Sequence, residues 1–263
     1  LVFYDAYLPL IAAPEEQDRV SAKGFVMGYL GSVVLLVINL GMILFAEPLG
    51  IPDSVELFGK EWGAVPARIA FITVALWWAG WAQIPFARLP DGKPEGEQHG
   101  AIADGYRALR RVWARLVRTQ RLKRFLLAYF VLNAGVQTVM YLAANFAKQE
   151  VKSIGPDGEE VPISDGALIG SILLIQLVAI AGAHLFVKSS ARIGNVRTLM
   201  VGALIWIGAC AFAFGLQGVN AFYALAVVVG LVMGGTQSLC RSTYSKFLPE
   251  RESTASYFSF YDV

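Results

Sequence analysis

The sequence predicts an all-α fold, a polytopic membrane helix bundle with six complete transmembrane helices. Three observations predict it. Hydrophobic residues make up 56% of the 263 residues and charged residues only 16%, with a mean hydropathy of +0.54, whereas soluble domains carry about 25% charged residues. Long stretches of the chain contain no Asp, Glu, Lys or Arg. The basic residues are concentrated in alternate loops, as in a chain that crosses a membrane repeatedly.

Five charge-free windows locate the spans: residues 24–46, 69–87, 125–147, 166–187 and 198–240. Each of the first four has the length of one bilayer-spanning helix, for which about 20 apolar residues are needed. The fifth is twice as long. Two glycines and an asparagine within 215–220 are typical of a tight turn, so we interpret this window as a hairpin of two helices.

The loops 5–23, 88–124, 188–197 and 241–251 fall on one side of the membrane if the six helices alternate. They contain 18 of the 22 Lys and Arg residues of the chain. Cytoplasmic loops of membrane proteins carry such an excess of basic residues. We therefore predict a multi-pass integral membrane protein whose 88–124 loop is cytoplasmic.

Residues 91–100 are rich in Gly, Pro and charged residues and form the best internal boundary. The helix predicted after them has one apolar and one basic side, formed by Leu109, Val112, Trp113 and Leu116 and by Arg107, Arg111, Arg115 and Arg118. A basic face also suits nucleic acid. Between membrane spans it is more typical of an anchor in the cytoplasmic headgroup layer, so we predict the lipid bilayer, and no nucleic acid, as its partner.

Two short segments match each other across the chain. Residues 4–9, YDAYLP, and residues 244–249, YSKFLP, share a tyrosine, a second aromatic residue, a leucine and a proline at the same spacing. Six predicted helices separate the copies, and both copies lie on the predicted cytoplasmic side. A repeat of six helices is the layout of transporters built from two parallel halves.

Four segments then resemble a known family: FYDAYLPLIA, DRVSAKGFVMGYLGS, RFLLAYFVLNAGVQTVMYLA and LVMGGTQSLCRSTYSKFLPE. They resemble the bacterial branch of the vacuole-effluxer-like family within the major facilitator superfamily. The resemblance implies a twelve-helix secondary transporter in the bacterial cytoplasmic membrane that works by alternating access. It also implies that this chain holds the end of helix 4 to the start of helix 11. Fungal vacuolar members are associated with amino-acid efflux.

The resemblance divides the chain into three parts. Residues 1–90 correspond to the last part of the N-terminal six-helix half, and residues 91–121 to the cytoplasmic linker with its basic helix. Residues 122–263 correspond to the first part of the C-terminal half.

A gating motif of the superfamily is present in degenerate form. Gly182, Arg192, Gly194 and Arg197 resemble its glycines and basic residues. The acidic residue usual near its start is missing, which puts in doubt an Asp-mediated gating contact on this side. The segment is a candidate conformational latch or simply a tight basic turn.

Polar residues recur every four positions along the helix predicted over 125–147: Asn133, Gln137, Tyr141 and Asn145, with Thr138 beside them. Residues four apart share a face of an α-helix, so these side chains form a continuous stripe, which we call the polar ladder. Lipid cannot satisfy such groups. Two interpretations remain open: the ladder binds a polar substrate, or it hydrogen-bonds to neighbouring helices.

A second polar stripe, of Gln237, Arg241 and Tyr244, lies on the last predicted span. Gln237 is its better substrate-path candidate. Arg241 lies near the cytoplasmic end, where we expect it to snorkel to the headgroups rather than bind a substrate carboxylate. Asn39 is expected to make a packing hydrogen bond, and Gly230 and Gly234 to permit close helix contact.

These observations favour a secondary transporter of a small polar solute such as an amino acid, with a coupling proton or ion as a further candidate ligand. A membrane-embedded enzyme and a non-transporting scaffold or sensor are the alternatives. The predicted spans contain a single histidine and no carboxylate, and intramembrane catalysis needs a nucleophile with a base or clustered acids. We therefore predict no catalytic residue, no metal site and no cofactor.

Overall fold

The computed structural model of the protein describes residues 2–89, 101–154, 159–249 and 254–262. The predicted linker at 91–100 lies outside these residues. The helices are α1 (Val2–Ala6), α2 (Leu8–Ile11), α3 (Gln17–Leu44), α4 (Val65–Arg88), α5 (Ala101–Arg118), α6 (Gln120–Glu150), α7 (Asp165–Ile193), α8 (Asn195–Phe214), α9 (Val219–Phe247) and α10 (Thr254–Phe258). The strands are β1 (Ser54–Leu57), β2 (Lys60–Gly63), β3 (Lys152–Ile154) and β4 (Glu160–Pro162).

Six helices, α3, α4, α6, α7, α8 and α9, are long and apolar enough to cross a membrane. The predicted all-α membrane bundle and its number of spans are therefore confirmed. The predicted hairpin is confirmed as well, because α8 ends at Phe214 and α9 begins at Val219. Two short antiparallel hairpins, β1–β2 and β3–β4, were not predicted and connect consecutive spans.

The described residues form two compact units. The smaller unit, Gly31–Glu97, contains the second part of α3, the β1–β2 hairpin and α4. Within it the Thr73 hydroxyl donates to Asn39 Oδ1 at 2.6 Å, so the packing role predicted for Asn39 is confirmed. The larger unit consists of Leu1–Leu30 and Gln98–Val263. The predicted boundaries at 90 and 121 stay a prediction.

Glycines bring α7 and α9 into backbone contact in the larger unit. A Cβ added at Gly182 would lie 2.1 Å from the Leu231 carbonyl oxygen, and one at Gly234 would lie 2.1 Å from that of Ala179. A Cβ added at Gly230 would likewise lie 2.7 Å from the Ile175 carbonyl oxygen. The close contact predicted from Gly230 and Gly234 is confirmed. Within lipid there is little hydrophobic force to bring two helices together. Small residues allow the two backbones to approach closely, and the resulting van der Waals contacts stabilise the pair.

The four spans of the larger unit alternate in direction between two ends. We call the end that contains Arg121, Arg197 and Lys246 the basic end. At the opposite end the β3–β4 hairpin lies beside the α8–α9 turn, where the Lys152 amide donates to the Gln217 carbonyl at 2.8 Å. The Ser164 hydroxyl caps α7 there by accepting from the Ala167 amide at 3.2 Å.

Stacked rings at the basic end join α6, α9 and the turn that follows α10. The rings of Tyr129 and Tyr261 lie 4.2 Å apart, and those of Tyr244 and Tyr261 lie 5.1 Å apart. The Tyr244 hydroxyl donates to the Tyr257 carbonyl at 2.7 Å. Tyr244 is fully buried, so it belongs to this packed cluster and not to an open polar stripe. Each ring pair contributes about 0.5–1.5 kcal/mol beyond burial of its surface.

The apolar side of α5 packs on the protein. Val112 and Leu116 are buried, and the Trp113 ring lies 5.7 Å from that of Phe260. Arg111 and Arg118 on the other side of α5 are exposed. The amphipathic pattern is confirmed, and its location in the headgroup layer stays a prediction.

Candidate functional site

A buried guanidinium joins three helices at the basic end. Arg241 of α9 is 4% exposed, and its Nη1 donates to Asp5 Oδ1 of α1 at 2.9 Å. Its Nε and Nη2 donate to the hydroxyl and the carbonyl oxygen of Ser21 in α3, at 2.9 and 3.0 Å. The rings of Tyr4 and Phe25 lie 5.0 and 4.8 Å from the guanidinium. The predicted snorkelling of Arg241 is therefore wrong, because its charge is neutralised inside the bundle.

A second carboxylate, Asp18 in the first turn of α3, connects the turn between α7 and α8 to the end of α9. Asp18 Oδ2 accepts from Lys246 Nζ at 2.7 Å, and Oδ1 accepts from Asn195 Nδ2 at 2.9 Å. The Ser190 hydroxyl lies 3.5 Å from Oδ2. The Asn195 amide also donates to the Thr243 hydroxyl, at 3.0 Å. The acidic partner that the gating motif lacks in sequence is thus supplied by another helix.

These side chains form one network, which we call the latch: Asp5, Asp18, Ser21, Asn195, Arg241 and Lys246. Every latch contact joins the first 30 residues of the chain to helices beyond residue 190. The Arg241–Asp5 pair is almost completely buried, so removal of one partner leaves an uncompensated buried charge. This lowers the free energy of unfolding by about 3–5 kcal/mol. The Asp18 and Lys246 side chains are 13% and 24% exposed, so that pair contributes less.

A further carboxyl group lies beside Asp5. Burial of Asp262, together with the negative charge of Asp5 and a hydrogen bond between the two carboxyl groups, raises the pKa of Asp262 to about 6. Asp262 Oδ2 is buried and has no hydrogen-bond partner among the described residues. Two neighbouring carboxylates repel each other, so a proton is retained here in mildly acidic solution. Asp262 lies outside the six candidate spans.

The four residues of the degenerate gating motif occupy different places. Gly194, with a φ of 88°, forms the turn between α7 and α8, and this backbone conformation favours glycine. Arg192 and Arg197 flank the turn and are exposed. Gly182 lies within α7 against Leu231, about 18 Å along the helix axis from Gly194 at 1.5 Å per residue. The motif is therefore split between the turn and the α7–α9 contact.

The polar ladder faces away from the helices that pack on α6. Asn133 is half-buried, and Gln137, Thr138 and Asn145 are exposed, as is Tyr141 at 80%. The Thr138 hydroxyl donates to the Ala134 carbonyl of its own helix at 2.8 Å. No hydrogen bond joins Asn133, Gln137 or Tyr141 to another helix within the described part of the chain. Hydrogen bonding between the described helices therefore does not account for the ladder.

Gln237 is placed differently from the ladder. The Tyr29 hydroxyl of α3 donates to Gln237 Oε1 at 2.9 Å, and Tyr29 is buried. Gln237 precedes Arg241 by one helical turn, so this bond lies directly above the latch on the same face of α9. The structure thus places Gln237 and Arg241 together and Asn133, Gln137 and Tyr141 apart from them.

An apolar cavity of about 480 Å³ lies between α6, α7, α8 and α9. Thr138 is the one substrate-path candidate in its lining, which otherwise consists mainly of residues such as Phe146, Ile172, Trp206 and Leu225. A polar solute would lose its hydration in this cavity without gaining enough hydrogen bonds. The cavity is therefore a poor site for such a solute.

The residue pattern alone did not indicate Asp18, Ser21, Asn195 and Lys246 as functional residues. One signal was available, because Asp5 and Asp18 are carboxylates in a loop on the predicted basic side. Acidic residues among so many basic ones are candidates for ion pairs. Their partners, however, are distant in the sequence, and only packing brings them within hydrogen-bonding distance.

Comparison with known proteins assigns the chain a family and relatives. Residues 12–263 match the family model described as vacuole effluxer Atg22 like. The chain is 28% identical over 264 residues to the uncharacterized MFS-type transporter YxiO of Bacillus subtilis, a match that covers 100% of this chain and 56% of that protein. It is 25% identical over 278 residues to autophagy-related protein 22-1 of Aspergillus terreus, covering 93% of this chain and 42% of the relative.

A third relative is autophagy-related protein 22-2 of Aspergillus clavatus, 28% identical over 257 residues and covering 91% of this chain and 39% of the relative. The chain spans about half the length of the curated relatives that it matches. No solved structure gives a significant match.

Proposed function

Because the chain belongs to the vacuole effluxer Atg22-like family, we propose that it is part of a secondary transporter for a small polar solute. In this proposal the latch is the closed gate at the cytoplasmic end. One observation carries it: the buried Arg241–Asp5 pair and the Asp18–Lys246 pair join the beginning of the chain to α9 at one end of the bundle.

The charge distribution supports a gate at the cytoplasmic end. The latch lies at the basic end, and the loops assigned to that side hold 18 of the 22 Lys and Arg residues, as expected of the cytoplasmic face. In alternating access two groups of helices rock against each other around a central site. Contacts that join the two groups at one end close that end, and they must break when it opens.

The polar ladder and Gln237 are the proposed solute contacts. Gln137 and Tyr141 present an exposed amide and an exposed hydroxyl, and Asn133 adds a half-buried amide. Thr138 beside them lines the apolar cavity and would contribute its hydroxyl only if the bond to Ala134 opens. Such groups bind a zwitterionic solute by hydrogen bonds to its ammonium and carboxylate, and an amino acid is the solute class that we propose. Gln237 would join them when its bond to Tyr29 opens. A proton, held at Asp262 beside Asp5, is the proposed coupling ion.

The proposal is tested with the complete protein in liposomes. We expect exchange of labelled neutral amino acids across the bilayer and an increase in thermal stability when the transported solute is added to the purified protein. The control is the double variant Asp18→Cys/Lys246→Cys, whose two thiols are joined by a reducible bis-methanethiosulfonate cross-linker long enough to replace the Asp18–Lys246 pair; the cross-link should abolish exchange until it is reduced.

Absence of exchange and of thermal stabilisation for every neutral, acidic and basic amino acid would reject this solute class. Exchange that persists with the cross-link intact would reject the latch as the gate. The alternative of a membrane enzyme is not proposed, because the family and the relative named as an MFS-type transporter both indicate transport.

A further inference from the structure

A polar cavity of about 430 Å³ opens at the basic end, next to the latch. Three cationic side chains on three different elements line it: Arg121 from the first turn of α6, Arg197 from the start of α8 and Lys246 from the end of α9. Asn195 and Thr243 add an amide and a hydroxyl to the lining, which contains no Asp or Glu among the described residues. The cavity therefore concentrates positive charge.

The start of α8 adds backbone donors to this cavity. Gly194, Asn195, Val196 and Arg197 all line it. Gly194 is the N-cap of α8 and cannot satisfy the first amides with a side chain, and no other side chain caps this helix. The first amides of a helix have no intrahelical acceptor, and the helix dipole makes that end positive. Backbone and side chains thus favour the same kind of ligand, an anion.

The Arg121 and Lys246 side chains on two walls of the cavity each contact a neighbouring side chain. The Arg121 guanidinium lies 4.1 Å from the centre of the Phe247 ring, an arrangement that leaves its N–H edges available. Lys246 lies on another wall, where its Nζ is paired with Asp18 Oδ2 at 2.7 Å. Two guanidinium groups, an ammonium and backbone amides match the several oxygens of a phosphate better than the two of a carboxylate.

We propose that this cavity binds an anion that bears a phosphate group, with Arg121, Arg197 and Lys246 as its ligands. This inference goes beyond the proposed function, because the site does not require transport. The phosphate belongs either to an anionic lipid headgroup or to a soluble phosphate ester. Both sources share the same chemistry at the cavity.

The site also shares a residue with the latch. Lys246 faces both the cavity and Asp18, and a phosphate and a carboxylate at one ammonium repel each other. Phosphate binding and the Asp18–Lys246 pair therefore compete. Asp18→Asn should consequently strengthen phosphate binding, whereas a loose attraction of anions to a basic surface would not depend on the Asp18 hydrogen bonds.

The experiment measures binding to the complete protein by native mass spectrometry and thermal unfolding. The probes are inorganic phosphate and glycerol 3-phosphate in neutral detergent, and phosphatidic acid or phosphatidylglycerol in phosphatidylcholine nanodiscs. The test variant is Arg121→Gln/Arg197→Gln. The matched control is Arg124→Gln/Arg192→Gln, which removes the same charge from neighbouring exposed positions that do not line the cavity.

We expect the test variant to bind at least one phosphate probe on the order of tenfold more weakly, because charged hydrogen bonds are lost, and the control variant to bind it like the unaltered protein. Binding of lipid probes alone identifies a headgroup as the source, and binding of the soluble probes identifies a free phosphate ester. Equal losses in the test and control variants would overturn the site, as would no binding of any phosphate probe. An unchanged affinity in Asp18→Asn would overturn the competition with the latch.

Discussion

The polar ladder on α6 and the latch at the basic end are both sets of polar residues in apolar helices, yet they differ in burial and in hydrogen bonding. Arg241 and Asp5 are almost completely buried and paired with each other. Gln137 and Tyr141 are exposed and bonded to no other described helix. Paired groups hold helices together, whereas uncovered groups remain available to a ligand. A loss of stability should therefore follow changes in the latch, and a loss of transport without a loss of stability should follow changes in the ladder.

The largest effect on stability is expected from Arg241→Met. The substitution leaves Asp5 as a buried charge without its partner, so the free energy of unfolding should fall by about 3–5 kcal/mol. Chemical unfolding of the complete protein in detergent measures this value. Asp5→Leu/Arg241→Met removes both charges and should recover most of the stability. Arg192→Met, at an exposed position, is the control, and an equal loss in that variant would contradict the special role of the buried pair.

Asp18→Asn should have a smaller effect on stability and a larger one on gating. The substitution removes the charge that pairs with Lys246 but keeps an oxygen for Asn195, so we expect a loss of about 1 kcal/mol. Labelling of the buried Cys240 thiol, next to Arg241 in α9, by a water-soluble thiol reagent should become several times faster, because the gate opens more often. Labelling that stays at the rate of the unaltered protein would show that the Asp18–Lys246 pair does not hold the gate closed.

Asp262→Asn should raise stability in a manner that depends on pH. The pKa of Asp262 is raised from 3.8 to about 6 in the folded protein, so the folded protein binds this proton more tightly than the unfolded protein does. The free energy of unfolding therefore falls as pH rises from about 4 to 6. At pH 7.5 the neutral amide removes this penalty and should raise Tm by about 2 °C. At about pH 3.5, where the carboxyl group is protonated in the folded protein and mostly protonated in the unfolded protein, the difference should largely vanish. A Tm difference that is the same at both pH values would refute the titration.

The smallest effect on stability is expected in the ladder. Gln137→Leu removes an exposed amide that has no hydrogen bond to another described helix, so the free energy of unfolding should change by less than about 0.5 kcal/mol. Exchange of the transported solute should fall at least severalfold. Gln83→Leu is the matched control, because the Gln83 amide donates to its own helix at Ala79. Unchanged exchange in Gln137→Leu would count against the ladder as the solute site.

Gln237 has features of both sets, the ladder and the latch. It shares the amide chemistry of Gln137 but is bonded to Tyr29. The sequence assigned Gln237 and Gln137 the same candidate role, since both are amides in apolar helices. The structure separates them because the Tyr29 hydroxyl of α3 reaches Gln237, whereas Gln137 is exposed and has no hydrogen bond to another helix of the larger unit.

Composition and periodicity were enough to predict the fold class, the six spans, the turn within 215–220 and the close glycine contacts of α9. These features depend on local properties: the length of an uncharged window, the spacing of residues on one helix and the conformational preferences of turn residues. The positions of the polar ladder and of the two arginines that flank the α7–α8 turn were predicted for the same reason.

Only the tertiary structure decided the roles of Arg241, Asp18 and Lys246. A basic residue near the end of a span reaches the headgroups unless a carboxylate lies close to it, and the carboxylate that binds Arg241 is 236 positions away in the chain. Likewise, the turn at Gly194 lacks a nearby acidic residue in sequence but receives Asp18 from α3. Ion pairs depend on distance in space, because Coulomb interactions fall with separation and vary with burial. The chain determines which charges it contains, and packing determines which of them meet.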